Sequence, residues 1–161
     1  MKQAFTLIEL LLVVLIIGIL AAVALPQYQV AVAKARMATA LPVLKSMLDA
    51  QQIYFQANGE YSINFEELDI DLPAGGTLDE NKRKMTYPNG MVYDIWRSSA
   101  GDSTSVRALV DEDATYLLEF YVDGTHCCYA KKNNAFANRV CKSFAGKEGT
   151  EHGGHIEYIL D

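Results

Sequence analysis

Charge is what the first part of this sequence lacks. Between Phe5 and Leu25 there is one ionisable side chain, Glu9. As a helix rising about 1.5 Å per residue, such a run reaches roughly 31 Å, the thickness of one bilayer core. Basic residues are also scarce: 14 Lys and Arg stand against 20 Asp and Glu, a net charge of −6 that argues against a nucleic-acid binder. No serine nucleophile elbow, phosphate loop or metalloprotease helix motif occurs, so the residues assign no catalytic group and no cofactor. Repeats and low-complexity blocks are missing as well. Trp96, the single tryptophan, reads as a sheet or packing residue.

What is present begins with the apolar run itself. A secretory signal peptide would also place Lys2 before an apolar stretch, but this stretch starts at residue 5, carries an acid in its first turn and continues past Ala24 as helix-compatible sequence. A carboxylate at mid-membrane costs about 2.5 to 3.5 kcal/mol if unpaired, so something must offset Glu9. One candidate is the start of its own helix, where the macrodipole favours an acid.

The remaining length holds one small core, and its charge is uneven. Residues 1–58 carry four basic and two acidic side chains, net +2; residues 59–161 carry ten basic and eighteen acidic, net −8. Pro26 removes a backbone donor within an otherwise continuous helical pattern. The Gly18 to Pro26 segment is read either as a weak point that extends under tension or as a static kink at the membrane exit. Beyond it Met37, Leu41, Leu44, Leu48 and Phe55 fall at helical spacings, with Met47 and Tyr54 beside them, and predict a core-facing stripe. Pro42 predicts a second bend, and Asn58-Gly59 a stop.

After a short helix capped by Ser62 or Asn64, and a loop at 72–76, strands are predicted at Met85–Tyr87, Met91–Trp96, Val106–Val110 and Tyr116–Val122. They pair as two hairpins around Pro88-Asn89-Gly90 and Asp111-Glu112-Asp113. A short helix over Asn133 to Arg139 and a terminal strand from His155 to Leu160 follow. His126, His152 and His155 lack a third ligand in any metal-binding pattern, and the acidic turns lack EF-hand spacing, so no metal is predicted. Cys127, Cys128 and Cys141 are the only cysteines. Outside the cytoplasm two of them across a loop favour a disulfide, which for about 14 residues contributes roughly 3 kcal/mol.

The run Lys2-Gln3-Ala4 followed by Phe5-Thr6-Leu7-Ile8-Glu9 resembles the processing motif of the type IV pilins and type II secretion pseudopilins, and Gly18 and Pro26 also sit where that family has them. Ala4 stands where the family usually has glycine and is small enough for cleavage. The resemblance covers about residues 1 to 28. It implies that a prepilin peptidase cuts between Ala4 and Phe5 and methylates the new Phe5 amino group. It also implies that Glu9 sets assembly register by pairing with a neighbour's Phe5 ammonium, and that Cys128 pairs with Cys141, with Cys127 to Cys141 as the alternative.

The expectation is an α+β, pilin-like fold: leader 1–4, transmembrane or filament-core helix 5–25, amphipathic helix 26–58, and head 59–161 with a four-stranded antiparallel sheet and a disulfide-closed C-terminal loop. The expected role is a structural subunit in the bacterial inner membrane, head outside the cytoplasm. It would contact membrane lipid before assembly, then form a homo-oligomeric helical filament through a platform and ATPase supplied by other proteins. The resulting pilus would serve adhesion, motility or uptake. A type II secretion pseudopilin driving protein export is the alternative, and a membrane-tethered binding or enzyme domain a third reading.

Overall fold

The computed structural model describes residues 6–98 and 103–160. Helix α1 spans Leu7–Ala38 and α2 spans Leu41–Asn58, separated at Thr39-Ala40. The break has a local cause. Pro42 has no N–H to give the Ala38 carbonyl, and its ring crowds that same carbonyl, so α1 ends at Ala38. The Thr39 hydroxyl reinforces the turn by donating to the Arg36 carbonyl at 2.7 Å. Pro42 itself lies in the first turn of α2, where its missing donor costs nothing. At the other end Gly59 closes α2 with φ 78°, its N–H donating to the Phe55 carbonyl.

The buried stripe crosses the break without interruption: Ala33, Met37, Ala40, Leu44, Met47 and Gln51 follow one another at intervals of 4, 3, 4, 3 and 4. Met37, Leu44 and Met47 were predicted in it, whereas Ala40 and Gln51 were not. Leu41 and Leu48 flank it half-buried, and Phe55 is exposed, stacked on Tyr61 with ring centroids 4.5 Å apart. α1 packs chiefly on the helix Ala135–Ala145 and α2 on the strands Thr104–Leu109 and Tyr116–Tyr121, and the small Ala33, Ala40 and Ala50 in these faces are a feature that large-residue periodicity overlooks.

Four strands were predicted in the sheet, and the structure corrects this to eight among the described residues. They are β1 (Thr77–Leu78), β2 (Lys84–Thr86), β3 (Val92–Arg97), β4 (Thr104–Leu109), β5 (Tyr116–Tyr121), β6 (His126–Lys131), β7 (Thr150–His152) and β8 (His155–Ile159). Their order is β1-β2-β3-β4-β5-β6-β8-β7, every pair antiparallel. The two edge strands have two and three residues, too short to show alternation and too short to template aggregation. Helix α3 (Ala135–Ala145) follows β6 and packs on α1; it begins where Asn134 accepts from Ala137 N–H at 3.0 Å. It runs six residues beyond the predicted helix end at Arg139.

Side chains alternate across the sheet, so strand register decides what meets what. Tyr93, Ala108, Leu118, Cys128 and Tyr158 form one row facing the helices, all in the main core. On the opposite face Asp94, Arg107, Glu119 and Cys127 form the neighbouring row. The pleat therefore turns Cys128 toward α3, where it bonds Cys141 across a sequence separation of 13, and leaves Cys127 buried on the outer face as a free thiol.

Candidate functional site

Thr6 and Glu9 form a reciprocal cap on α1. Glu9 Oε2 accepts from the Thr6 N–H at 2.8 Å and from the Thr6 hydroxyl at 2.6 Å, while Glu9 N–H donates to Thr6 Oγ1 at 3.3 Å. Both carboxylate bonds use Oε2. Oε1 takes no hydrogen bond among the described residues. Ala4 and Phe5, the predicted cleavage and methylation positions, lie outside the described residues.

From this cap the helix is apolar on every face, and its large side chains are bare: Leu7 is 76% exposed, Leu15 60% and Val23 66%. The stretch is long and apolar enough to cross a membrane, and none of it is buried within the subunit. An apolar surface this large calls for a cover of lipid or protein. Gly18 has open space where a Cβ would stand, so nothing within one subunit demands glycine there. α1 continues as helix through both Gly18 and Pro26.

Above Pro26 the helix is tied to the head by long basic side chains. Lys34 donates to the Ser143 carbonyl and lies over the Phe144 ring, and Arg36 donates to the Asn89 carbonyl of the β2–β3 turn. On α2, the buried Gln51 holds both backbone groups of Ser62, accepting from its N–H at 3.0 Å and donating to its carbonyl at 2.9 Å. This pins the returning chain against the helix.

The outer face of the sheet carries a polar layer that sequence reasoning missed. Arg107 grips Asp94 in two bonds of 2.7 and 2.6 Å and lies over the Trp96 ring. Burial works against the Arg107 charge, yet the bonds to Asp94 outweigh it and raise its pKa. Beside it Ser105 donates to Glu119, whose carboxyl pKa is raised chiefly by burial. The Tyr129 hydroxyl donates to Glu157 at 2.6 Å, and burial pushes the nearby Cys127 thiol up to about 12. The signal was charged residues at alternate positions of predicted strands, a pattern that usually marks a solvated face; here Trp96, Tyr121 and Tyr129 crowd beside Arg107 and Glu119.

His152 and His155 end opposite one another on β7 and β8 and line a shallow cleft with Trp96 and Tyr121. Among the described residues no three metal-ligating side chains converge. The acids of the turns serve the backbone: Asp111 accepts from Thr115 N–H and Asp123 from Thr125 N–H.

A capped, all-round apolar helix leading through an amphipathic half into one antiparallel sheet, closed by the Cys128–Cys141 bridge, defines an α+β pilin-like fold. The family described as the prokaryotic N-terminal methylation motif matches residues 1–25. Over 99 residues the chain is 32% identical to the type IV major pilin protein PilE1 of Neisseria gonorrhoeae, covering 62% of this chain and 55% of that protein. It is 42% identical over 64 residues to a fimbrial protein of Neisseria meningitidis serogroup A (40% of this chain, 38% of that one), and 43% identical over 61 residues to the type IV major pilin protein PilA of Myxococcus xanthus (38% and 28%).

The chain thus spans little more than half the length of the first relatives it matches. No solved structure gives a significant match. These findings bear out the resemblance: the chain is similar to type IV pilins, and the proteins it matches are named as pilins and fimbrial proteins.

Proposed function

We propose that this chain is a type IV pilin subunit that is cut between Ala4 and Phe5, methylated at Phe5 and polymerised through α1. Before assembly α1 lies in the inner membrane with the head outside the cytoplasm; afterwards neighbouring copies replace lipid around it. The observation that carries this reading is the bare apolar helix, which must be covered in both states, together with a Glu9 carboxylate that spends one oxygen on its own cap and keeps the other open.

Oε1 is where a neighbour's Phe5 ammonium would bind. Pairing two charges in apolar surroundings offsets the cost of each, whereas a subunit docked out of register leaves both unpaired, a penalty of about 3 to 5 kcal/mol when one partner of a buried pair is missing. Glu9 would thus allow one register and reject its neighbours. The prepilin peptidase, the assembly platform and its ATPase belong to the same proposal. The relatives named as major pilins support a pilus over a secretion pseudopilus.

The test replaces Glu9 with Leu. The membrane fraction should still hold the variant, and electron microscopy should show surface filaments falling at least tenfold. Filaments of normal number and length would refute the register role. Mass spectrometry of mature subunits should find N-methylated Phe5; an intact Met1 refutes the processing.

A further inference from the structure

Within a head of net charge −8, residues 131–147 stand apart, with Lys131, Lys132, Arg139, Lys142 and Lys147 and no acid among them. Most of this segment is α3, and α3 packs on α1 just past the apolar run. Arg139, Lys142 and Ser143 line one cleft with Pro26, Gln27 and Val30. Leu7 to Leu25 is long enough for a hydrocarbon core of about 30 Å, with a headgroup layer of roughly 5 to 8 Å beyond it. At about 1.5 Å per residue Pro26 to Val30 crosses that layer. The basic face of α3 is therefore held at phosphate level.

Arg139 is exposed and makes no hydrogen bond or ion pair among the described residues. Lys142 is exposed too and reaches Glu148 alone. Neither side chain serves the core, which α3 supplies through Ala137, Val140 and Cys141.

We infer that Arg139 and Lys142 form a headgroup site that binds the phosphate of an anionic phospholipid beside α1 while the subunit waits in the membrane. The inference rests on the proposed membrane state of α1 and adds a specific lipid chemistry to it. Arg139 offers a planar fork that suits a phosphate, and Lys142 adds a second charge on the same helix face, one turn along. The acyl chains of that lipid would lie along the bare surface below Pro26. Leaving the membrane for a filament then means surrendering this lipid, so anionic lipid content would tune how readily subunits are extracted.

The test reconstitutes the full chain in nanodiscs of equal parts phosphatidylglycerol and phosphatidylcholine. After transfer to micelles, native mass spectrometry counts the lipids retained. The wild type should keep phosphatidylglycerol over phosphatidylcholine, and each basic residue should contribute about fivefold to that preference. R139Q/K142Q should lose it, R139K/K142R should keep it, and E148Q, which frees Lys142, should strengthen it. K45Q, which removes one positive charge on α2 away from this face, should leave it unchanged.

Inorganic phosphate at millimolar level should not displace the lipid, because it lacks the acyl chains; displacement would make this a plain anion site and overturn the proposal. An inserted chain with no preference, or a preference that survives R139Q/K142Q, overturns the lipid contact alone. A chain that fails to insert overturns the membrane state and the contact with it.

Discussion

Replacing Gln51 with Met should be far more damaging than its place on a helix suggests. The side chain is fully buried and both of its bonds go to Ser62, whose backbone is buried with it. Met fills nearly the same volume, so little cavity forms and the penalty isolates the polar contacts. Removing the amide strands one N–H and one C=O, each costing about 1 to 3 kcal/mol when left without a partner. Allowing for water reaching the loop, a net loss of about 2 to 4 kcal/mol follows.

A loss of about 1 kcal/mol lowers Tm by roughly 4 to 8 °C in a domain of this size, so the melt should fall by about 8 to 32 °C. Trp96 fluorescence of the full chain in detergent reports the head, since Trp96 sits in β3 and α1 has no tryptophan. Q56M, at an exposed site on the same helix, is the control. Q51E adds a sign. It keeps an acceptor for the Ser62 N–H but sets an oxygen against the Ser62 carbonyl, so its pKa rises in the folded state. Its stability should be best in acid and fall as pH climbs past about 4.3. A Q51M melt within about 2 °C of wild type, where 4 °C is the least that 1 kcal/mol should cause, would refute the reasoning.

Glu119 yields a related prediction. Its folded pKa is raised from 4.5, chiefly by burial, so its contribution is intact in acid and lost as pH rises above 4.5 through the folded value. E119Q keeps an acceptor for Ser105 and should flatten that decline, raising the neutral-pH melt above wild type; parallel profiles would count against it. With its pKa pushed to about 12, the buried Cys127 thiol should resist alkylation at pH 8 in the folded chain and react on unfolding. Rapid labelling of native protein would contradict the buried placement.

How much of this was legible follows from where the physics is local. The apolar span, the Thr6-to-Glu9 spacing, the two central hairpins and the stop at Gly59 all announce themselves within a few residues. β6 did not: its two cysteines drew attention as bridge anchors and hid the alternation of Cys127, Tyr129 and Lys131 against Cys128 and Ala130. β1 and β7 exist only because β2 and β8 pair with them. The buried polar layer of Asp94, Arg107 and Glu119 depends on cross-strand register, which no single segment encodes. Gln51 was invisible for the same reason, since its partner is a backbone eleven residues away.

The parity of β6 carries a last consequence for how the chain matures. A slip of one residue against β5 would rotate Cys127 inward and Cys128 outward, and oxidation would then staple the error to α3. The identity of the leftover thiol thus reports the register: a correctly pleated head leaves the shielded Cys127 free, and a slipped one leaves Cys128.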